Sequence, residues 1–299
     1  VAVVVTDSRL ALNGSDNTGV VALAAPSVSN AAVNVTASSI TCKAGDYVGV
    51  LGTGNTGVTW TNVTVSATLS NVTSTAGYFV GVLGAAAWTG GVIWTNVTVS
   101  AALANVTSTA IKYVGVLGAA SCLHMAWTDV TVFATLANVT SNAPDFNGVL
   151  GAVSNDVTWT NVSVSAARAD VTSTAGTFVG VLGTGSTTVA WTDVTVSAVL
   201  ANVTSTAWLF VGVLGAGSGV AMAWTNVVVS AANANIISTA SSFVGVLGAG
   251  SNNDTMWTNV TVSAALANVT STATSYAVGV LGSGSGTGIT AWTNVAVSA

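Results

Sequence analysis

Charge is the scarcest property of this chain. Of 299 residues, 4% are Asp, Glu, Lys or Arg, against about 25% in an ordinary soluble domain. Glutamate and glutamine are absent, and from Asp46 to Lys112 no acidic, basic or histidine side chain intervenes. The net charge of −5 leaves no basic face, which excludes nucleic acid as a partner. Two cysteines, Cys42 and Cys122, are too few for a disulfide-stapled scaffold. They fall in loops of different repeats and read as free thiols. Long hydrophobic runs are missing too. Mean hydropathy is +0.73, yet Thr, Ser, Asn and Gly break the apolar stretches every second or third residue. A membrane-spanning helix needs about 20 mostly apolar residues, so none is expected. The chain opens at Val1 with neither Met nor a leader-like segment, as a mature product or a piece of a longer one would.

What the chain has instead is repetition. The pair V-G-V-L-G … W-T-N/D-V-T-V-S returns eight times with a period of about 33 residues. Its tryptophans are Trp60, Trp94, Trp127, Trp159, Trp191, Trp224, Trp257 and Trp292. Between each tryptophan and the next glycine element lies a third segment, L-S/A-N-V-T-S-T-A. Val and Thr dominate throughout, both β-branched and at home in strands. In N-V-T-S-T-A, Val72, Ser74 and Ala76 share one face, with Asn71, Thr73 and Thr75 on the other. In W-T-N-V-T-V-S-A strict alternation puts Thr61, Val63, Val65 and Ala67 together. Trp60, Asn62, Thr64 and Ser66 then share the opposite face. Gly-rich segments such as 52–57 read as turns before each tryptophan.

Three short strands per period predict an all-β chain: a β-solenoid of about nine coils, forming a single repeat domain over 1–299. Residues 48–299 hold eight regular repeats, and 1–47 form a degenerate first coil. In that coil Val1–Val5 takes the V-G-V-L-G place, Val20–Ala24 the V-T-V-S-A place, and Asn34-Val35-Thr36 the N-V-T place. Stacked coils bring each residue over its own equivalent about 4.8 Å away. A charged ladder at that spacing repels itself, so the scarcity of charge follows partly from the architecture.

The V-G-V-L-G element followed by W-T-N-V-T-V-S-A resembles GLUG-type repeats of secreted and surface proteins, whose units carry V-G-G-L-V-G and then an I/W-x-N-x-x-V-x-G strand. The resemblance spans 48–299 in outline. It departs where Val50, Val82 and their equivalents replace the family's second glycine, and in its longer unit. It implies an extracellular β-solenoid without catalytic residues.

Residues for catalysis are few. The single histidine, His124, lies two residues from Cys122 in a loop found in one repeat only, where a metal site would want further ligands. Paired carboxylates could come from Asp129, Asp156, Asp170 and Asp193, but three of these align with Asn in other repeats, which points to a local turn role. No catalytic group, cofactor or metal is expected. Sequons are plentiful: Asn62, Asn71, Asn96, Asn105, Asn138, Asn161, Asn202, Asn259 and Asn268 stand at repeat positions, with Asn13, Asn34 and Asn253 outside them. They are candidate glycosylation sites, although rungs about 4.8 Å apart leave no room for sugar on every one.

By parity the tryptophan row faces outward, unless the preceding turn rotates it in; facing out, it is a patch larger than monomers usually expose and a candidate interface. If Leu51 faces the core, Val48 and Val50 form a second outward ladder. The T-x-T rows at Thr73 and Thr75 and their equivalents would form flat threonine arrays. The expected role is structural: an extracellular or cell-surface solenoid that builds or decorates a fibre by pairing with itself, end to end or laterally, with glycans attached. The alternative is an ice- or carbohydrate-binding solenoid using its Thr or Trp ladders.

Overall fold

The computed structural model describes residues 2–13, 17–19, 27–51, 53–55, 57–87, 90–121, 123–242, 244–251, 253–273, 278–285 and 290–299. The chain winds as a β-solenoid of about 33 residues per turn, with every inter-strand pairing among the described residues parallel. One coil shows the plan. Asn105–Thr109 lies in a threonine sheet. Tyr113–Gly115 lies in a glycine sheet. Ala119–Ser121 and His124–Thr135 lie in a long sheet. In three coils the last two pieces fuse into one strand, as in Ala152–Ala167. The threonine and glycine sheets each hold nine strands among the described residues.

Register is like on like. Val106 pairs with Val72 and Val139, and Val114 and Gly115 pair with Val80 and Gly81. The threonine sheet keeps the expected alternation: Val72 and Ser74 are buried, while Asn71, Thr73 and Thr75 are exposed. Ser141 donates to the Asn147 amide oxygen, whose nitrogen donates to Ser173 Oγ at 2.9 Å, so one side chain links two rungs inside the core.

The tryptophan row is not on the outside. Trp60, Trp94, Trp127, Trp159, Trp191, Trp224 and Trp257 are at most 1% exposed, and only Trp292 is open, at 46%. The reason sits two residues on. Asn62 has φ of 54°, and its equivalents from Asn96 to Asn294 have φ of 51–55°. A left-handed residue inside the strand adds a step, as a bulge does. It resets the alternation, so Trp60 points in along with Val63, Val65 and Ala67. Successive indoles from Trp60 to Trp257 stack at 4.7–5.0 Å with interplanar angles of 1–6°. Each such ring removes roughly 150–250 Å² from water.

The expected outward Val ladder is also absent. Val48, Val50 and Leu51 are all 0% exposed, because the chain folds sharply between the glycine and long sheets and wraps V-L-G into the core. Gly115 permits that corner: a Cβ there would overlap the Ala85 carbonyl oxygen of the preceding coil. A second, smaller column of stacked rings, Tyr113, Phe146 and Phe178, packs beside this corner at 4.7–4.9 Å.

The start of the chain differs from expectation. Ala2–Thr6 pairs with Ser27–Thr36, which pairs with Val58–Thr68, so Val3–Val5 and Asn34-Val35-Thr36 belong to the long sheet. Arg9–Asn13 and Ser39–Lys43 occupy the N-V-T place instead. Residues 1–47 therefore carry two rungs, where the sequence suggests one. Alternation explains this: Ala31, Val33 and Val35 are buried in turn along one long strand, which makes Asn34 an outward long-sheet residue. Val20–Ala24 lies outside the described residues. Thr53–Asn55, inside the predicted turn, is a short strand paired with Ala85–Ala87.

Gly115→Ala is expected to destabilise the solenoid by several kcal/mol, because the overlapping atom is backbone and cannot swing aside. Thermal unfolding followed by circular dichroism checks this: an unchanged midpoint would contradict the corner described above.

Candidate functional site

The outer surface consists of columns, and the candidate sites are columns too. Each left-handed Asn of the long sheet extends its side-chain amide along the rod. Asn96 donates to Asn62 at 2.8 Å, Asn62 to Asn30 at 2.9 Å, Asn259 to Asn226 at 3.0 Å and Asn294 to Asn259 at 3.1 Å. Asparagine suits the place twice: it tolerates the left-handed region, and its amide both donates and accepts. Asp129 and Asp193 sit in this column, accepting from Asn161 at 2.6 Å and Asn226 at 2.9 Å. A carboxylate has no proton to pass on, so the ladder stops between Asn96 and Asp129 and again between Asn161 and Asp193.

A second amide ladder edges the threonine sheet. Asn105 donates to Asn71 at 2.9 Å, Asn138 to Asn105 at 3.0 Å, Asn202 to Asp170 at 2.7 Å and Asn268 to Asn235 at 3.0 Å. The nine repeat-position sequons thus all lie in these two exposed columns. Except for Asn71, which accepts, each uses Nδ2 as the donor to the neighbouring coil, and Nδ2 is also the atom to which an N-linked glycan attaches. Asn34 instead accepts from Ser66 at 2.6 Å on the long sheet.

Beside the second ladder run two outward threonine columns in strict register. Thr73, Thr107, Thr140, Thr172 and Thr204 form one, and Thr75 and Thr109 begin the other, which Asn142 interrupts before Thr174 and Thr206. Rungs lie about 4.8 Å apart and the columns about 6.7 Å apart. From the Thr73 rung to the Thr204 rung the result is an uncharged grid of hydroxyl and methyl groups, with Lys43 in register one rung before Thr75.

The carboxylates do not converge. Asp129, Asp170 and Asp193 are ladder acceptors, while Asp156 is the rung neighbour of His124, both exposed. No group of three or more His, Cys, Asp or Glu gathers for a metal among the described residues. No helix of the described residues is long and apolar enough to cross a membrane. Cys42 lies on a strand of the threonine sheet, in the inward column above Ser74, and not in a loop. It is 1% exposed, and burial pushes its thiol pKa up. Cys122 lies outside the described residues.

Sequence reasoning missed one column. The residue after each long strand also has positive φ: Leu69, Leu103 and Leu136 at 51°, Arg168 at 50° and Leu200 at 52°. The leucines among them are 47–58% exposed. Leucine gives no signal for a left-handed corner, because Gly or Asn is the usual occupant.

Two outcomes follow from this geometry. Asp129→Asn supplies the missing donor to Asn96 and is expected to raise stability by about 1 kcal/mol, read as a higher melting temperature; a fall would contradict the ladder. Cys42 is expected to resist alkylation at neutral pH in the folded protein, since burial both shields it and keeps it protonated. Peptide mapping after brief iodoacetamide treatment should find it modified only when the chain is unfolded. Among known proteins, no family model, no curated protein and no solved structure matches this chain.

Proposed function

We propose that this chain is a structural β-solenoid of the cell exterior, an uncharged rod that forms or decorates a surface fibre. The observation that carries the reading is the uniformity of its columns. The Asn and Thr columns repeat one residue type over several rungs along the rod axis, so much of the described surface is a set of self-similar rows. Uniform rows suit contact with another long, periodic object. The likeness of V-G-V-L-G to GLUG-type repeats supports the extracellular placement. Glycans on this reading are sparse, because adjacent rungs about 4.8 Å apart cannot both carry sugar.

The threonine grid favours a second reading, a face that binds ice or a neutral carbohydrate. Its rigid, charge-free periodicity suits a ligand that is itself a lattice. The two readings separate by experiment. Surface labelling of intact cells, with electron microscopy of the native material, should place the chain outside the cell in regular fibres carrying few glycans. Protein confined to the cell interior and free of fibres overturns the structural reading. Thermal hysteresis in dilute solution, abolished by Thr140→Tyr in the centre of the grid, would select the second.

A further inference from the structure

The corner column between the long and threonine sheets is unfavourable twice over. Leucine in the left-handed region costs about 1–2 kcal/mol relative to a right-handed or extended conformation. Exposing it also leaves apolar surface in water. The backbone geometry is fixed by the stack: the N–H groups of Leu69, Leu103 and Leu136 donate to Ala102, Thr135 and Ala167 of the next coil at 2.9–3.0 Å. Any residue at this place adopts positive φ, and Asn233 occupies it in one coil at 49°. Asparagine there would relieve the strain and be soluble, yet three consecutive rungs carry leucine. Strain maintained at a surface site points to a use for that site.

The same column carries one acidic and one basic residue. In rung order it runs Asp7, Ala37, Leu69, Leu103, Leu136, Arg168, Leu200, Asn233, Leu266, all with positive φ and all exposed. Asp7 and Arg168 are its acidic and basic members, five rungs apart, or about 24 Å. Neither has an ion-pair partner among the described residues. A twofold axis perpendicular to the rod, passing between the Leu69 and Leu103 rungs, relates the first six members to themselves reversed and leaves Leu200, Asn233 and Leu266 beyond the contact. It sets Leu69 against Leu103 of a second copy, Ala37 against Leu136, and Asp7 against Arg168. Each pairing occurs twice, as an isologous contact requires.

We propose that this ridge is a lateral interface between two copies of the chain, packed antiparallel with a leucine centre closed at each end by an Asp7–Arg168 ion pair. Period selects the occupant. Leucines spaced by one rung are matched over several rungs only by a partner with the same rise, and a second copy supplies both that rise and the complementary charge order. The apolar strip with its flanking Thr68, Ala102 and Thr135 covers on the order of 500 Å² per partner, less than the roughly 800 Å² of a standard interface. Association is therefore weak, with a dissociation constant on the order of 10–100 μM. The inference deepens the fibre reading by supplying the lateral contact that the buried Trp and Val rows do not.

Sedimentation velocity of the full chain across that concentration range tests it. The wild type should pass from monomer to dimer. Leu103→Asn should raise the dissociation constant at least about tenfold while melting no lower than the wild type, because asparagine suits the corner. Arg168→Asp should weaken the dimer, and the double variant Asp7→Arg/Arg168→Asp should restore it. A wild type that stays monomeric at about 500 μM, a Leu103→Asn variant that dimerises equally well, or a double variant that fails to recover would overturn the interface. So would ridge-dependent binding to lipid vesicles without dimerisation. Native fibres that persist in Leu103→Asn would overturn this pairing and leave the structural reading standing.

Discussion

Most side chains in this solenoid meet their own kind about 4.8 Å above and below, and that spacing governs which side chains the chain can use. Valine and alanine columns fill a narrow core. Threonine columns cover a face without repulsion. Asparagine does best of all, because its amide donates upward and accepts from below indefinitely. Charge does worst. Asp129, Asp170 and Asp193 accept from one neighbour and offer nothing to the other, so each marks an interruption in an otherwise continuous ladder. The shortage of charge is thus a property of the stacking before it is a property of the habitat.

The period, the strand content and the parallel register were all legible in the sequence, because each depends on spacing alone. The alternation of the threonine sheet was legible for the same reason. What misled was the assumption that a long strand keeps one parity from end to end. Asn62 breaks it from within, and the tryptophans move from the surface to the centre. The V-G-V-L-G segment misled through its glycines: they mark a corner where two coils touch backbone to backbone, not a strand with two faces. The leucine ridge could not be read at all, since propensity argues against leucine at positive φ, and only the stack's hydrogen bonds hold it there.

The interior holds a tension of its own. Seven indole N–H groups and the hydroxyls of Ser74, Ser108, Ser205 and Ser238 are buried without a protein hydrogen-bond partner. Each orphaned group is worth about 1–3 kcal/mol against folding. Stacking and burial offset it: a well-placed aromatic pair contributes about 0.5–1.5 kcal/mol beyond its buried area. Every interior ring from Trp94 to Trp257 takes part in two such pairs. These contributions come from neighbours only, so stability accrues along the rod one coil at a time. A coil that lacks a neighbour on one side loses half of this stacking and opens its ring to water, as Trp292 does at 46% exposure.

The tryptophan column has a consequence unrelated to strength. Indoles held parallel at 4.7–5.0 Å are close enough for their transition dipoles to couple. Light absorbed by one ring is shared along the column, and the molecule responds in the near ultraviolet as an ordered aggregate of chromophores. Its circular dichroism and emission therefore register the continuity of the stack itself. Parting any two coils divides the aggregate, so the core that builds the rod also carries an optical record of whether the rod is whole.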